Sequence, residues 1–193
     1  MLTIGQLAAY AGVTVRAVRH YHQIGLLPEP ERDASGYRRY GATAVVSLIS
    51  YLDRLREIGA SERMVDGERD GWILVAARWP DRIREWMPGK FAQLDDPQLV
   101  RLYRVLSEIL DSDAGDDDPR LEEAADIMAG LFEQAYTSGE IDLGEVAHDD
   151  LAFDLLDALA VESDPRAERM LDLMRERGWA GWTRLERLAE PPD

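Results

Sequence analysis

The start of the chain carries the pattern that most restricts its fold, namely two short helices separated by a tight turn. Thr3, followed three residues later by Gln6, forms a capping-box pattern that favours the start of a helix. Gly12 ends that helix, because glycine readily adopts the left-handed conformation found after helix ends. Thr14 then caps a second helix, which runs to about Gln23. Two short helices joined this closely predict a helix-turn-helix motif.

The next residues predict a small β-hairpin followed by a longer helix. Pro28 and Pro30 exclude a helix there, and the turn-forming residues 34–36 join two short extended arms. Residues 42–58 carry apolar side chains at helical spacing. We therefore predict a winged helix-turn-helix domain, with a β-hairpin wing, over residues 1–70.

The remainder of the chain, residues 71–193, predicts an all-α domain of about five helices, so that the whole protein is mainly α. Pro80 and Pro88 are expected to break its first helical stretches. Later helices are expected at residues 97–110, 119–135, 150–161 and 165–177, with a last helical turn over 182–188. Residues 111–118 form an exposed acidic linker in this prediction. Neither a strand after residue 60 nor an internal repeat is predicted.

Charge divides the chain into two parts. The net charge of the 193 residues is −16, but the distribution is uneven. Residues 1–60 contain seven arginines and five acidic residues, a balance of +2, whereas residues 61–193 have a balance of −18. This asymmetry indicates two functional parts, and the acidic part would repel nucleic acid.

Several classes of function are excluded by the residues present. The absence of cysteine excludes disulfides, iron–sulfur clusters and thiolate metal sites. His20 and His22 point about 200° apart on a helix, and His148 with Asp149 and Asp150 is better explained by helix capping, so no metal site is predicted. No catalytic grouping or phosphate-binding loop occurs, so neither enzyme activity nor a cofactor is predicted. Without an apolar run of ~18 residues or a targeting segment, a cytoplasmic protein with no membrane association is expected.

The second helix presents a polar face suited to reading DNA. With Val15 and Val18 turned inward, the outward face carries Arg16, Arg19, His20 and Gln23. Guanidinium groups near a helix N-terminus can bond guanine edges or phosphates. Further contacts with the DNA backbone are expected from Thr14, Tyr21, Arg38 and Arg39. The alternative is that each of these side chains simply belongs to a solvated surface.

Taken together, these segments resemble the DNA-binding domain of the MerR family of transcription regulators. The resemblance rests on the stretches TIGQLAAYAGVTVRAVRHYHQIGLL, GYRRY and LISYLDRLREIG, and it covers about residues 2–60. It implies a homodimer bound to pseudo-palindromic, double-stranded promoter DNA. It also implies that the protein twists and bends an overlong promoter spacer so that RNA polymerase, an indirect partner, can engage both promoter elements.

The resemblance also assigns roles to individual residues. The DNA-contacting positions of the family correspond to Arg16, Arg19, Tyr21 and Arg38, and Tyr37 corresponds to the residue that holds the wing. His20 stands where the family usually has tyrosine, and it can still donate to a phosphate. Because histidine titrates near neutral pH, DNA binding is expected to weaken as His20 loses its proton.

Two departures from the family pattern affect the expected fold. Members continue into one long helix that forms an antiparallel coiled coil with the partner subunit, but Pro80, Pro88 and Pro97 are expected to interrupt it here. Dimerisation is then expected through the helix at 97–110 or elsewhere in the C-terminal domain. Glu62 replaces a usual apolar residue, so the second wing helix is expected to be short or displaced.

The tryptophans raise the question of what the acidic half does. They are Trp72, Trp79 and Trp86, spaced by seven residues, and Trp179 and Trp182 near the end. One hypothesis is an aromatic pocket, flanked by carboxylates, for a small hydrophobic or cationic effector; the alternative is packing in the core or dimer interface. Two further alternatives are a protein-interaction module for a basic partner and a DNA-architectural protein that does not switch. The sequence specifies neither the operator nor the effector, nor whether transcription is activated or repressed.

Overall fold

The computed structural model describes residues 3–10, 14–16, 18–19, 42–79, 82–139, 149–181, 183 and 186–188. These residues contain eight helices and two short strands. In chain order they are α1 (Ile4–Tyr10), α2 (Ala42–Glu57), α3 (Glu62–Arg78), α4 (Arg82–Gln93), α5 (Pro97–Leu110), α6 (Pro119–Ser138), α7 (Asp150–Ser163), α8 (Arg166–Glu176), β1 (Trp179–Ala180) and β2 (Glu186–Arg187). The hairpin wing predicted over residues 26–41 lies outside the described residues.

The capping box predicted at the N-terminus of α1 is confirmed. The Thr3 amide donates to Gln6 Oε1 at 2.9 Å, and the Gln6 amide donates to Thr3 Oγ1 at 3.3 Å. These reciprocal bonds satisfy backbone N–H groups that have no partner within the first helical turn. Local side chains therefore determine where α1 begins.

The chain forms two compact units. The first unit comprises residues 1–57 and 68–93, and the second comprises residues 58–67 and 94–193. The chain passes from the second unit to the first between residues 67 and 68, within α3. The predicted domain boundary, between residues 70 and 71, also falls within α3.

Aromatic side chains from three helices form the core of the first unit. Tyr51 on α2 is fully buried and meets the rings of Trp72 on α3 and Phe91 on α4 edge-on, with centroids 6.1 and 6.0 Å away. Leu55, one turn after Tyr51, is also fully buried. The predicted apolar stripe of α2 is therefore its packing face in this part of the helix.

Helices α5, α6 and α8 enclose the core of the second unit. The buried cluster consists of Leu102, Val105, Ile109, Leu121, Ala124, Ala125, Met128, Met170, Leu173, Met174 and Trp179. The helix starts that place these residues were predicted correctly at Pro97 and Pro119. Each follows an aspartate whose carboxylate accepts a backbone N–H: Asp96 from Gln98 at 2.7 Å, and Asp118 from Arg120 at 3.0 Å.

Pro88 lies inside α4, so the prediction that it breaks the helix is wrong. A proline within a helix removes one backbone hydrogen bond and costs about 3 kcal/mol, but packing of neighbouring residues can offset that cost. Met87 is only 2% exposed, whereas Pro88 itself is exposed, so α4 buries apolar surface beside the proline. α3 ends at Arg78, shortly before Pro80, which lies outside the described residues.

The second wing helix was expected to be short or displaced, and the first of these two expectations is wrong. α3 begins at Glu62 and extends for 17 residues. A glutamate in the first turn stabilises a helix, because its negative charge lies near the positive end of the helix dipole. Replacing an apolar residue with Glu62 is therefore compatible with a long helix at this position.

The last part of the second unit contains a small antiparallel sheet, which corrects the prediction of an all-α domain ending in a helical turn. Trp179 pairs with Arg187, and Ala180 pairs with Glu186. Gly178 and Gly181 have φ angles of +83° and +80°, a conformation that favours glycine. These glycines let the chain turn out of α8 and form β1. The sequence did not predict the sheet, because each strand has only two residues, which are too few to show the alternation of side chains typical of a strand.

The acidic loop between α5 and α6 is partly buried, and it reveals a short repeat. The sequence Asp-Pro-Arg occurs at residues 118–120 and again at 164–166, each time at the start of a helix. Asp118 is 7% exposed and Asp164 is 6% exposed. The prediction of an exposed linker over 111–118 is therefore wrong for Asp118, whose carboxylate accepts hydrogen bonds from the Arg120 guanidinium.

Candidate DNA-binding surface

The residues after Thr14 form a helical turn with one buried and two exposed side chains. The Val18 amide donates to the Thr14 carbonyl at 3.1 Å. Val18 is 2% exposed, whereas Arg16 and Arg19 are exposed. Because a helix repeats every 3.6 residues, Arg16 and Arg19 share a face that Val18 does not. The predicted orientation of these three residues is confirmed.

The charges of Arg16 and Arg19 are open to solvent. Neither forms an ion pair with another residue in the described ranges. On α2 of the same unit, by contrast, Arg54 pairs with Glu57 at 3.2 Å and Arg56 pairs with Asp53 at 3.1 Å. An exposed guanidinium without a carboxylate partner can approach a phosphate or a guanine edge without first losing an ion pair.

The remaining predicted DNA contacts were His20, Tyr21, Gln23, Tyr37, Arg38 and Arg39. All of them lie outside the described residues, so their contacts remain predictions. Thr14 is described and exposed at the start of the helical turn. Its predicted contact with a phosphate also remains a prediction.

Comparison with known proteins decides the family. Residues 3–40 match the sequence model of the family described as "MerR family regulatory protein". The chain is 38% identical over 111 residues to the mercuric resistance operon regulatory protein of Bacillus cereus, an alignment that covers 55% of this chain and 80% of that protein. It is 31% identical to the HTH-type transcriptional regulator HmrR of Rhizobium leguminosarum bv. viciae, over 65% of this chain and 98% of HmrR. The chain belongs to the MerR family.

Membership of the MerR family makes the protein a DNA-binding transcription regulator, in agreement with the resemblance of its first 60 residues. A third relative matches over a shorter stretch. The HTH-type transcriptional activator TipA of Streptomyces coelicolor is 46% identical over 56 residues, which are 29% of this chain and 19% of TipA. No solved structure matches the chain.

The tryptophans predicted to bind an effector contribute to packing within the two units. Trp72 in the first unit is 6% exposed and Trp179 in the second unit is 3% exposed. Trp79 and Trp86, both half-buried, meet edge-on with ring centroids 5.8 Å apart. Trp182 lies outside the described residues. These positions fit the packing alternative for Trp72 and Trp179, while effector binding remains a prediction.

Two groups of polar side chains in the second unit were not predicted from the sequence. In the first, Arg166 bonds both oxygens of Asp164 at 2.8 and 2.6 Å, and Arg120 does the same to Asp118, at 3.0 and 2.6 Å. Hydrogen bonds from these guanidinium groups lower the pKa of each aspartate. Both arginines also donate to Ser112 Oγ in the α5–α6 loop, Arg120 at 3.0 Å and Arg166 at 3.3 Å.

The second group surrounds Arg187. Its guanidinium carbon lies 5.4 Å from the ring centroid of Tyr136 and 5.8 Å from that of Trp179, and its Nη1 lies 3.1 Å from Glu133 Oε1. Phe132 and Tyr136 both meet Trp179 edge-on. Glu133 and Arg187 are 54 positions apart in the chain, so no local pattern could have indicated this group.

No group of three or more histidines and carboxylates in the described ranges could hold a metal ion. No helix formed by those residues is long and apolar enough to cross a membrane.

Proposed function

We propose that this MerR-family regulator binds promoter DNA as a homodimer, with the helix that starts at Thr14 as its reading helix. The observation that carries the proposal is the exposure of Arg16 and Arg19 on one face of that helix, with Val18 buried behind them. These residues fall within the segment that matches the family model. Phosphate contacts from the wing residues Tyr37, Arg38 and Arg39 belong to the same proposal.

The distribution of charge supports this placement of the DNA. Residues 1–60 have a balance of +2 and residues 61–193 one of −18. Phosphate backbones attract the first region and are repelled by the second, which limits the orientations in which the protein can approach DNA. The acidic remainder would thereby favour binding through the reading helix.

We further propose that the helical region over residues 71–193 supplies dimerisation and binds a small hydrophobic or cationic effector. The match with TipA spans 56 residues, a length compatible with a shared DNA-binding region followed by a different C-terminal region. A thiolate-bound metal is not proposed as the effector, since the chain has no cysteine. RNA polymerase would respond indirectly, through the shape of the promoter.

Footprinting on the promoter region beside the protein's own gene tests the DNA-binding proposal. The full-length wild type should protect a pseudo-palindromic site, and Arg16→Ala and Arg19→Ala should each protect it only at higher protein concentration. Arg175→Ala is the matched control, because Arg175 is exposed in the second unit and pairs with Asp172. If both reading-helix variants protect the site as the wild type does, this assignment of the helix is wrong.

Light scattering and thermal unfolding test the other two parts of the proposal. The full chain at micromolar concentration should have twice the monomer mass, and a monomer would contradict the homodimer. A library of small organic compounds should contain members that raise the melting temperature and change the affinity for the promoter.

The strong acidity of residues 61–193 favours one alternative, a module that binds a basic protein partner without any small ligand. A salt-sensitive protein partner that co-purifies with the full chain, combined with no stabilising compound, would support that alternative.

A further inference from the structure

Helix α7 in the second unit has apolar residues on two sides. Phe153 and Leu156, which are 4% and 8% exposed, lie on its buried side. Leu155 lies about 100° around the helix axis from Leu156 and is 53% exposed. Ala158 and Leu159, three and four residues after Leu155, share its side of the helix; Ala158 is exposed and Leu159 is half-buried. We call Leu155, Ala158 and Leu159 the outer face of α7.

Exposed carboxylates accompany the outer face. Asp154 and Glu162 are both exposed, and neither forms an ion pair with another of the described residues. The sequence contains no lysine or arginine from residue 121 to residue 165, whereas the same 45 residues include thirteen acidic ones. The outer face is therefore an apolar surface with negatively charged edges, and no basic residue close to it in sequence neutralises those edges.

This charge favours a basic partner over a second copy of the chain. Two copies packed through the outer face would bring their acidic edges together, and like charges across an interface are unfavourable. A helix with leucines on one side and lysines or arginines at its edges would complement both the apolar surface and the carboxylates. The 14 residues of α7 extend over about 21 Å, which matches a partner helix of about four turns.

We propose that the outer face of α7 binds a basic amphipathic helix of another protein. Apolar side chains of that helix cover Leu155 and Leu159, and its basic side chains pair with Asp154 and Glu162. This inference goes beyond the proposed DNA binding and does not rest on it, because the interaction requires neither DNA nor a small effector.

Calorimetric titration of the full chain with a designed peptide tests the proposal. The probe is a peptide of leucine and lysine with the 14-residue length of α7 and its leucines at helical spacing. A scrambled peptide of the same composition has the same charge but no apolar side. The ordered peptide should bind at least tenfold more tightly, because only its leucines can cover the outer face together. Equal affinities would show that charge alone attracts the peptide, and would overturn the proposal.

Variants locate the binding on α7. Leu155→Asn should weaken binding of the ordered peptide about tenfold, because it removes exposed apolar surface that the peptide covers. Asp154→Asn and Glu162→Gln should each weaken it about twofold at low salt and less at high salt. An affinity equal to that of the wild type in Leu155→Asn would contradict the proposal.

Two matched controls separate this surface from the rest of the molecule. Tyr136→Ser removes the other large apolar side chain of the described residues that is more than half exposed, and it lies on α6. Glu57→Gln removes an exposed carboxylate from the first unit. Both variants should bind the ordered peptide as the wild type does, and a tenfold loss in either would show that the peptide binds elsewhere.

A labelled variant reports binding at the outer face directly. Because the chain has no cysteine, Ala158→Cys provides a single thiol there for an environment-sensitive fluorophore. Its emission should shift to shorter wavelength with the ordered peptide and stay unchanged with the scrambled one. An unchanged emission at saturating ordered peptide would also overturn the proposal.

Light scattering distinguishes a basic partner from a second copy of the chain. Leu155→Asn should have the same mass as the wild type; a fall from dimer to monomer would identify the outer face as the homodimer interface and overturn the proposal. If the peptide does not bind while the full chain still protects its promoter site, the inference fails and the proposed function stands.

Discussion

Arginine is used in opposite ways in two regions of this molecule. Arg16 and Arg19, at the start of the proposed reading helix, are exposed and pair with no carboxylate in the described ranges. In the second unit, arginines form ion pairs within the chain, and these residues are Arg63, Arg101, Arg120, Arg166, Arg169, Arg175, Arg177 and Arg187.

We infer from this difference that local carboxylates, more than arginine content, determine which guanidinium groups are available to bind DNA. Arg177 illustrates the point: burial alone would lower its pKa, but bonds with Glu122 and Asp126 outweigh burial and raise it. Such a guanidinium can bind a phosphate only by giving up those bonds. Substitutions in the two regions should therefore have different effects. Replacing a paired arginine of the second unit should lower stability, whereas replacing Arg16 or Arg19 should lower DNA affinity.

The largest expected effect is the loss of stability in Arg166→Ala. Asp164 and Arg166 are both less than a tenth exposed, and Arg166 also donates to the carbonyls of Ser112 and Ala114 at 3.2 and 3.1 Å. Removing the guanidinium takes two hydrogen bonds from a buried carboxylate and leaves it only the 3.6 Å ion pair with the half-exposed Arg63, so the unfolding free energy should fall by about 3–5 kcal/mol. Urea unfolding followed by circular dichroism measures this loss.

The control for that prediction is Arg175→Ala, which removes an exposed pair with Asp172. This change should cost less than about 0.5 kcal/mol. An Arg166→Ala protein that unfolds at the same urea concentration as the wild type would show that the buried pair does not stabilise the second unit.

The second expected effect is on DNA binding, in Arg16→Ala and Arg19→Ala. Removing an arginine that contacts a base should cost about 1–3 kcal/mol of binding free energy and relax specificity at one position of the site. Removing an arginine that contacts phosphate should reduce, by about one, the slope of log affinity against log salt concentration. Fluorescence anisotropy of a labelled promoter fragment at several salt concentrations separates the two roles. Because the side chains are exposed, urea unfolding should be unchanged; a large loss of stability would place these arginines with those of the second unit.

The sequence predicts those features that depend on neighbouring residues. The capping box at Thr3 and the aspartates before Pro97 and Pro119 act within three residues, so they show where helices begin. The opposite orientations of Arg16 and Val18 follow from helical periodicity alone. Neither kind of inference needs any knowledge of how the chain folds back on itself.

The sequence does not predict partners that lie far apart in the chain. Arg166 reaches Ser112 across 54 positions, and Arg187 reaches Glu133 across the same number. Pro88 was misjudged for a related reason, since burial of its neighbour Met87 through tertiary packing overrides a local preference. The group around Arg187 could likewise not be predicted, because Glu133, Tyr136 and Trp179 come from separate elements.

The third expected effect is a loss of stability in acid. It should be smaller than that of Arg166→Ala, because protonated Asp118 and Asp164 can still accept hydrogen bonds from Arg120 and Arg166. Bonds from Arg120 and Arg166 lower the pKa of Asp118 and Asp164 below the ordinary value of 3.8. Folding therefore favours the ionised carboxylates, so their stabilisation is present above that pH and is lost as the pH falls toward the lowered values. The unfolding free energy should therefore begin to fall near pH 3.8 and continue to fall at lower pH.

The matched variant for the acid prediction is Asp164→Asn, which cannot lose a charge. Its unfolding free energy should start lower than that of the wild type and depend less on pH in the same range. If both proteins show the same pH dependence, other carboxylates dominate the acid response.

The smallest expected effect comes from Arg101→Ala, and it isolates burial as the cause of the contrast. Arg101 Nη2 lies 2.7 Å from Glu123 Oε1, a distance close to the 2.6 Å between Arg166 and Asp164, but its side chain is 50% exposed. Water screens such a pair, so its removal should change the unfolding free energy by less than about 0.5 kcal/mol and by less still at high salt. DNA affinity should also remain unchanged, because the surrounding surface is acidic. A cost as large as that of Arg166→Ala would mean that the close guanidinium–carboxylate pair itself, and not its burial, determines which arginines stabilise the second unit.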